Sequence, residues 1–523
     1  MNANERKLEK TLAYICVYSR LITGIPQGGK WESSYKYQYS IFNSLGVVNK
    51  YSMMWTTGDI LRATRGKLLC GGLESRFSGI SIDSRTITPG DLFIAIKGEV
   101  HDGHRFVHDV IRDGIRGVVI SEDKADHLIS DIGREKKMMC IGVKDTTIAL
   151  GDMAADLRRR SNASVVAITG SNGKTTTRGM TSSVLSQRFE TLSTRGNYNN
   201  LIGLPLILLE LNPAHKWVVL ELGMNRPGEI GRLGDICQPD IGVITNIGPA
   251  HLEGFDSIEG IAKAKAELLN TIHPGGTVVL NGDDPRVRRL QEKSSSAVLF
   301  FGSSPEAAVR AQHIGQTVRG ISFDLVLPKE TVPIELCFPG SFMVSNALAA
   351  AAVGYRSGLT GGEIKTGLES FRLAEGRMNI LHTTMDIHLI DDTYNANPAS
   401  MEAAITSLKS LKGNARGVLV AGDMLELGKS SAAMHRTIGS IAVQSNVARL
   451  YVTGLYANAM AMGARDSGLA SEDILVGTYE EIVEDLTHWL KPGDWVLIKG
   501  SRKMEMEKIV LRLKEWTNNP SMS

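Results

Sequence analysis

The stretch VVAITGSNGKTTT, at residues 165–177, decides the fold of this 523-residue chain. An apolar strand pattern leads into a turn bounded by Gly170 and Gly173, and a helix is predicted to begin near Lys174. Unpaired N–H groups at a helix N-terminus, approached through glycines, form a cradle for phosphate. In such a loop Lys174 meets the β- and γ-phosphates of a nucleotide, and the Thr175 hydroxyl reaches a magnesium ion. The predicted phosphate site consists of Gly170, Ser171, Asn172, Gly173, Lys174, Thr175 and Thr176.

The spacing of this loop departs from the full P-loop pattern. That pattern places a glycine five residues before Gly173, and this chain has Ile168 there. The loop is therefore a shortened variant. The alternative interpretation is an ordinary strand-to-helix turn in which Lys174 is a solvated cap.

Apolar runs on both sides of the loop predict an α/β protein in which strands and helices alternate. Such alternation predicts a mainly parallel sheet around the phosphate loop, followed by more extended, polar segments up to about Pro333. The predicted strands lie at residues 92–96, 117–121, 138–143, 165–169, 218–221, 241–245, 277–281, 388–391, 417–421, 449–453 and 494–499. The best-defined helices are predicted at residues 146–160, 344–355 and 400–411.

A chain of this length is expected to form about three domains, at roughly 150 residues each. We place them at residues 54–145, 146–335 and 336–523. Residues 1–53 are rich in Tyr and Ser and lack apolar periodicity, so we interpret them as a flexible extension or as the result of a misassigned start. An organelle transit peptide is an open alternative, whereas the lack of a clean apolar core disfavours a secretory signal.

Composition excludes several classes of protein. The chain has 58 basic and 56 acidic residues, which disfavours a nucleic-acid binder held by phosphate attraction. No apolar run reaches the roughly 20 residues that span a bilayer. The five cysteines lie far apart without CxxC spacing, which favours a reducing compartment over a disulfide framework. Small molecules are the expected partners.

Three further groups suggest metal chemistry without deciding it. Glu221 ends an apolar run, and a carboxylate at the carboxyl end of a parallel strand can bind Mg²⁺. His251 follows the next strand, although a single histidine is more often a structural residue. Lys263 and Lys265 lie in a helical pattern whose lysines are solvated by default.

Eight motifs follow one another along the chain: TGSNGKTTT (169–177), TRGNYNNLIGLP (194–205), ELGMNRPGEI (221–230), TNIGPAHLEGF (245–255), AKAKAEL (262–268), AEGRMNI (374–380), DDTYNANPASM (391–401) and AGDMLELG (421–428). In this order they resemble the Mur ligases over about residues 54–513. The resemblance implies an ATP-dependent ligase that joins D-alanyl-D-alanine to UDP-N-acetylmuramoyl-tripeptide through an acyl phosphate, giving the pentapeptide precursor of peptidoglycan. It also implies a UDP-substrate domain, a central ATP-binding domain and a Rossmann-like C-terminal domain in a cytoplasmic monomer.

The resemblance also assigns roles to single residues. Catalytic roles fall to Lys174, His251, Lys265 and Arg377. Two magnesium ions are expected on Thr175, Glu221, His251 and a carbamylated Lys265, with Lys263 as the competing lysine. The phosphate loop would share the nucleotide with Asn246, Asn346, Arg377 and Asp392. Substrate contacts are expected from Ser84, Arg85, Asn197, Asn199, Asn200, Tyr394, Asn395, Asn397, Ser501 and Arg502.

One departure from the family pattern concerns the adenine side. This chain has Gly-Ser-Phe-Met at residues 340–343, where related sequences commonly have Gly-Arg-His-Asn, so a hydrogen bond toward adenine is lost.

Two other functions remain as alternatives. A ligase of the same family with another acceptor, or one resembling folylpolyglutamate synthase, would keep the phosphate loop and the lysine. The DDTYNANP string and the absence of a DNPR motif favour the dipeptide acceptor. A binding protein that has lost catalysis is disfavoured because Lys174, Thr175, Glu221, His251 and Lys265 are all present.

Overall fold

The N-terminal part of the structure is a five-stranded sheet with a small two-stranded ribbon beside it. The structure is a computed structural model that describes residues 54–98, 101–132, 138–250, 252–255, 257–317 and 320–518. The sheet has the order β2-β7-β6-β5-β4, and only β2 runs antiparallel to its neighbour. Its elements are β1 (Trp55–Thr56), α1 (Thr57–Thr64), β2 (Lys67–Cys70), β3 (Arg76–Phe77), β4 (Gly79–Ser81), β5 (Asp91–Ile94), α2 (Val107–Arg112), β6 (Gly117–Ser121), α3 (Ala125–Ile132) and β7 (Met139–Val143).

The central part is a nine-stranded sheet of order β16-β15-β14-β13-β12-β11-β8-β10-β9. Strands β8 to β14 run parallel to their neighbours in this part of the sheet, and β14, β15 and β16 form an antiparallel meander. Its strands are β8 (Ser164–Thr169), β9 (Thr191–Ser193), β10 (Trp217–Glu221), β11 (Ile241–Ile244), β12 (Thr277–Asn281), β13 (Ala297–Gly302), β14 (Val309–Thr317), β15 (Gly320–Val326) and β16 (Thr331–Leu336). Its helices are α4 (Thr146–Arg160), α5 (Lys174–Leu185), α6 (Gly203–Leu208), α7 (Glu229–Cys237), α8 (Ile258–Ala266), α9 (Pro285–Arg288), α10 (Phe342–Arg356) and α11 (Gly361–Ser370).

The C-terminal part is a six-stranded sheet of order β17-β18-β22-β19-β20-β21, parallel except for β17. Its strands are β17 (Asn379–His382), β18 (His388–Asp392), β19 (Gly417–Ala421), β20 (Arg449–Val452), β21 (Ile474–Val476) and β22 (Trp495–Lys499). Its helices are α12 (Pro398–Lys412), α13 (Ser431–Gln444), α14 (Ala457–Asp466), α15 (Tyr479–Trp489) and α16 (Glu507–Asn518). The predicted α/β class with mainly parallel sheets is confirmed.

The local sequence explains the ends of the key elements. Helix α4 begins where Asp145 accepts hydrogen bonds from the N–H groups of Thr147 and Ile148, and three arginines in its last turn face the negative end of the helix dipole. Strand β8 is buried along almost its whole length because parallel neighbours and helices cover it, which matches its continuous apolar run.

Helices α10 and α11 pack on the central sheet rather than on the C-terminal one. A Cβ atom on Gly354 of α10 would lie 2.7 Å from the Val184 side chain of α5, and one on Gly367 of α11 would lie 2.5 Å from the Val184 backbone. We therefore propose that the second domain boundary lies between α11 and β17, instead of near residue 335. The predicted extension, residues 1–53, lies outside the described residues.

No helix in the described part of the chain is both long and apolar enough to cross a membrane.

Candidate active site

The carboxyl ends of three neighbouring strands meet at one edge of the central sheet. Ile168 of β8 pairs with Glu221 of β10, and Thr169 pairs with Ile244 of β11. Ligands bind outside the carboxyl ends of strands in open α/β sheets. The phosphate loop, Glu221 and the loop after β11 therefore share one crevice.

The two glycines of the phosphate loop are required by its geometry. Gly173 has φ +79°, a left-handed conformation that residues with a Cβ rarely adopt, and it directly precedes α5. At Gly170 a Cβ would lie 1.9 Å from Thr245 Oγ1, so the two loops can approach only without a side chain. The loop thus presents the N-terminus of α5 to the crevice, as a phosphate cradle requires.

The loop after β11 holds the phosphate loop in place. The Asn172 N–H donates to Asn246 Oδ1 at 2.8 Å, and Asn246 Nδ2 donates to the Asn172 carbonyl at 3.0 Å. The Ser171 hydroxyl donates to the Gly248 carbonyl and accepts from the Gly248 N–H, each at 2.9 Å. Asn246, expected at the nucleotide, has both ends of its carboxamide bound to this loop.

Lys174 and Thr175 lie at the mouth of the cradle. Lys174 Nζ donates to the Gly170 carbonyl at 2.7 Å, so its ammonium is folded over the loop. Burial lowers the pKa of Lys174, the charge of Glu221 opposes that shift, and Arg377 adds to it. Thr175 Oγ1 accepts a hydrogen bond from Arg377 Nη2 at 3.1 Å.

Glu221 is a buried carboxylate with one unsatisfied oxygen. The residue is 3% exposed, and its Oε1 accepts from Asn199 Nδ2 at 2.8 Å. Its Oε2 is buried and has no hydrogen-bond partner among the described residues. A buried carboxylate oxygen without a partner is costly unless a cation meets it.

Lys265 of α8 is buried, and Lys263 of the same helix is exposed. Burial, assisted by the charge of Lys174, holds the pKa of Lys265 well below its usual range. The two lysines are thus distinguished by their surroundings, although the sequence pattern treats them alike. His251 lies outside the described residues.

Arg377, in the segment between α11 and β17, reaches the phosphate loop. Its guanidinium bonds to Thr175 and lies 4.0 Å from the centre of the Tyr394 ring. Asn397 Nδ2 donates to Asn172 Oδ1 at 2.7 Å while Asn397 Oδ1 caps α12. Residues at the carboxyl edge of the C-terminal sheet therefore contact both the tip and the helix end of the phosphate loop.

Two residues expected at the nucleotide have protein partners instead. Asn346 is buried under the phosphate loop, where Oδ1 accepts from the Thr177 hydroxyl at 3.2 Å and lies against Gly173. Asp392 accepts from Lys499 Nζ at 2.6 Å and from the Met378 N–H at 3.1 Å. A nucleotide role for these two side chains stays a prediction, and their observed contacts shape the loops.

The substrate contacts predicted in the C-terminal domain, from Tyr394 to Arg502, lie at the carboxyl ends of β18, β19 and β22, where we expect the dipeptide acceptor. Asn395 Oδ1 accepts from the Arg502 N–H at 3.3 Å, and the Arg502 guanidinium pairs with Glu507 at 2.9 Å. The Ser501 hydroxyl donates to the Ala396 carbonyl at 3.2 Å and accepts from the Leu425 N–H at 2.8 Å. Ser501 therefore joins the loop after β18 to the loop after β19.

His435 stabilises the loop after β19. It is fully buried; Nδ1 donates to the Ser431 carbonyl at 2.7 Å, and Nε2 accepts from the Met424 N–H at 2.9 Å. This pair of bonds requires the neutral ring. Burial lowers the pKa of His435, and Asp423, 3.7 Å away, only partly opposes the shift.

We expect acidification to weaken the structure through His435. The pKa of His435 is lower in the folded chain than in the unfolded chain. Below about pH 6.5 the unfolded chain therefore binds a proton that the folded chain excludes, and the stabilisation present above that pH is lost. Between pH 7.5 and pH 5.5, the urea concentration at the unfolding midpoint should fall more for the wild type than for His435→Gln. Equal falls in both proteins would refute this role.

The remaining predicted residues are not brought to the phosphate loop by any contact within the described residues. Arg85 pairs with Asp83 at 2.6 Å on the surface of the N-terminal part, next to the half-buried Ser84. Asn200 Oδ1 accepts from the N–H groups of Ile202 and Gly203, just before and at the start of α6. Asn197 is exposed. Among the described contacts of the asparagines in that loop, only Asn199 donates to Glu221.

Arg178 was missed by the motif analysis. It follows Lys174 by one helical turn, is half-buried, and donates from Nη1 to the carbonyl of Thr194. Burial lowers its pKa, while Glu221 favours the charge. Its spacing of four residues from Lys174 is the signal that could have identified it.

The parallel sheet, the phosphate loop and the arginine that reaches it define a P-loop-type α/β protein. Family models match three parts of the chain: the "Mur ligase family, catalytic domain" at 76–158, the "Mur ligase middle domain" at 168–354 and the "Mur ligase, glutamate ligase domain" at 376–502. The chain is 35% identical to the UDP-N-acetylmuramoyl-tripeptide--D-alanyl-D-alanine ligase of Escherichia coli (strain K12), over 85% of this chain and 95% of that protein.

Solved structures give the same result. A crystal structure of MurF from Acinetobacter baumannii aligns with a TM-score of 0.80 and 33% identity, covering 88% of this chain and 99% of that one. The MurF ligase of Thermotoga maritima in complex with ADP aligns with a TM-score of 0.75 and 26% identity, covering 84% and 98%. The chain belongs to the Mur ligase family, and its similarity is to the MurF type.

Proposed function

We propose that this chain is an ATP-dependent ligase that joins D-alanyl-D-alanine to UDP-N-acetylmuramoyl-tripeptide. The observation that carries the proposal is the meeting of the phosphate loop with Arg377 and Asn397, which brings phosphate chemistry next to the predicted acceptor loop. Relatives that carry this activity in their names are similar over nearly the whole chain. The T. maritima relative in complex with ADP supports adenine-nucleotide binding by this chain.

The proposed reaction has two steps. A terminal carboxylate oxygen of the tripeptide attacks the γ-phosphorus of ATP, the bond to the β-phosphate oxygen breaks, and ADP leaves. The N–H groups of the loop and Lys174 hold the phosphates, and Arg377 balances charge that develops on the transferred group. The dipeptide amine then attacks the acyl carbon, loses a proton and expels inorganic phosphate.

The described residues fit a magnesium ion. Glu221 Oε2 is buried and meets no hydrogen-bond donor of the described residues, and Thr175 Oγ1 lies at the start of the cradle helix. Oxygen ligands of this kind, together with phosphate oxygens, are what Mg²⁺ prefers. When bound, the ion would neutralise phosphate charge. We propose Thr175 and Glu221 as its ligands, with His251 and Lys265 as further candidates from the family pattern.

Removing the negative charge of Glu221 should raise the magnesium requirement. Gln keeps the bond from Asn199 but binds the ion less strongly, so Glu221→Gln should need roughly tenfold more Mg²⁺ for half-maximal phosphate release. Glu292→Gln, the same change at an exposed carboxylate of the central part, serves as the control. An unchanged Mg²⁺ dependence in Glu221→Gln would remove Glu221 from the proposed ligands.

The surroundings of Lys265 fit the proposed carbamate. Carbon dioxide adds only to a neutral amine, giving a carbamate and releasing one proton. Burial and the nearby Lys174 both favour the neutral form of Lys265. The modification would convert this buried amine into an anion beside Lys174. Lys263 is exposed, so burial does not favour the neutral form of its amine.

The N-terminal part, with Ser84 and Arg85, is the proposed holder of the UDP end of the substrate. We also propose a cytoplasmic location and a monomeric state. The free thiols of Cys70, Cys140, Cys237 and Cys337 support the location, because a reducing compartment keeps thiols unpaired.

Phosphate release tests the function and its alternatives together. With ATP and UDP-N-acetylmuramoyl-tripeptide, release should depend on D-alanyl-D-alanine and should stay near background with single amino acids or glutamate. Preference for a single amino acid would favour another ligase of the family. No release with any acceptor would favour a binding protein without catalysis.

A further inference from the structure

Lys499 is a buried cation at the carboxyl end of β22 with no role in the reaction described above. Its side chain is 3% exposed. Nζ donates to Asp392 Oδ2 at 2.6 Å and to the Asn395 carbonyl at 2.9 Å. A buried ammonium is stable only where such partners stay in place. Lys499 therefore fixes the two ends of the segment from Asp392 to Asn395.

The first of these contacts leads to the phosphate side. Asp392 uses its other oxygen to accept from the Met378 N–H at 3.1 Å. Met378 has φ +54°, an unfavourable conformation for this residue, and it directly follows Arg377. The ion pair thus holds the backbone from which Arg377 reaches Thr175.

The second contact leads to the acceptor side. The Asn395 carbonyl held by Lys499 begins the turn in which Ala396 accepts from Ser501 and Asn397 donates to Asn172. The same turn receives the Arg502 N–H on Asn395 Oδ1. One ammonium group therefore connects the loop at the phosphate with the loop at the proposed acceptor site.

We propose that Lys499 is a positioning residue that fixes the position of Arg377 relative to the 394–397 loop. The acyl phosphate then forms where the dipeptide amine can reach it. This inference rests on the proposed function. It makes Lys499 act through its neighbours, without touching a substrate. Substitution of Lys499 should therefore lower kcat/KM for both the nucleotide and the dipeptide, because both loops depend on the same ammonium group.

The test compares Lys499→Met with Arg416→Met. Arg416 pairs with Asp494, just before the opposite end of β22, so its loss removes a less buried ion pair from the same sheet. Since displacements of about 1 Å cost on the order of a hundredfold, kcat/KM for ATP and for D-alanyl-D-alanine should each fall roughly that much in Lys499→Met. Arg416→Met should lower the melting temperature while leaving both values near wild type.

A double variant separates positioning from folding. Lys499→Met with Asp392→Asn removes the unpaired buried carboxylate, so the melting temperature should recover while both kcat/KM values stay low. Recovery of the kinetics with the melting temperature, loss for only one substrate, or equal kinetics in Lys499→Met and Arg416→Met would overturn the inference. A wild type without dipeptide-dependent phosphate release would instead overturn the proposed function.

Discussion

Lys265→Ala is expected to lose roughly a thousandfold in kcat, as when a preorganised charged group is removed from a transition state. The side chain is 2% exposed, and burial and Lys174 disfavour its cationic form. Alanine cannot be carbamylated, so the buried negative group proposed next to Lys174 disappears. Steady-state phosphate release with all three substrates measures the loss.

Chemical rescue and a neighbouring lysine make this prediction specific. Acetate or formate should restore part of the activity of Lys265→Ala, because a small carboxylate can occupy the space left by the carbamate. Lys263→Ala, two residues away on the exposed side of α8, should keep nearly full activity. An unaffected rate in Lys265→Ala, or a collapse in Lys263→Ala, would reverse the assignment.

Arg377→Met is expected to lower kcat by about a thousandfold, the lower end of the range for arginines that stabilise phosphoryl transfer. Methionine keeps some of the packing on Tyr394 but removes the cation and the bond to Thr175. The loss should appear mainly in kcat at saturating ATP, because the charge on the transferred group develops in the transition state.

Arg465→Met, the same change at a surface arginine, is the control. Arg465 is exposed in the last turn of α14. Its loss should change kcat by less than about twofold, as for a surface arginine. If both variants behaved alike, Arg377 would act through general surface charge rather than at the phosphate.

The α/β fold was predictable because its core strands carry continuous apolar runs. Strands β12 and β19 have the predicted bounds, since both are buried along their length and are framed by turn residues. The antiparallel strands β14 to β16 were expected only as extended segments, because their exposed outer face leaves a weaker pattern. The packing of α10 and α11 on the central sheet could not be predicted, because the apolar pattern of a helix does not specify which sheet it packs against.

The candidate site was predictable in its residue types and less so in its contacts. Gly-Lys-Thr after a buried strand identifies the phosphate loop because few other arrangements need those residues in that order. The partners of Asn246, Asn346 and Asp392 depend on which loops the sheets bring together, and spacing alone cannot give that. Burial separates Lys265 from Lys263, and the alternating helix pattern hid that difference.

Transfer of labelled oxygen tests the central claim most directly. UDP-N-acetylmuramoyl-tripeptide with ¹⁸O in its terminal carboxylate should deliver one labelled oxygen to inorganic phosphate for each dipeptide joined, because the acyl phosphate passes that oxygen to phosphorus. The amide product should keep the other labelled oxygen. Dipeptide-dependent turnover that yields unlabelled phosphate would contradict the acyl-phosphate mechanism.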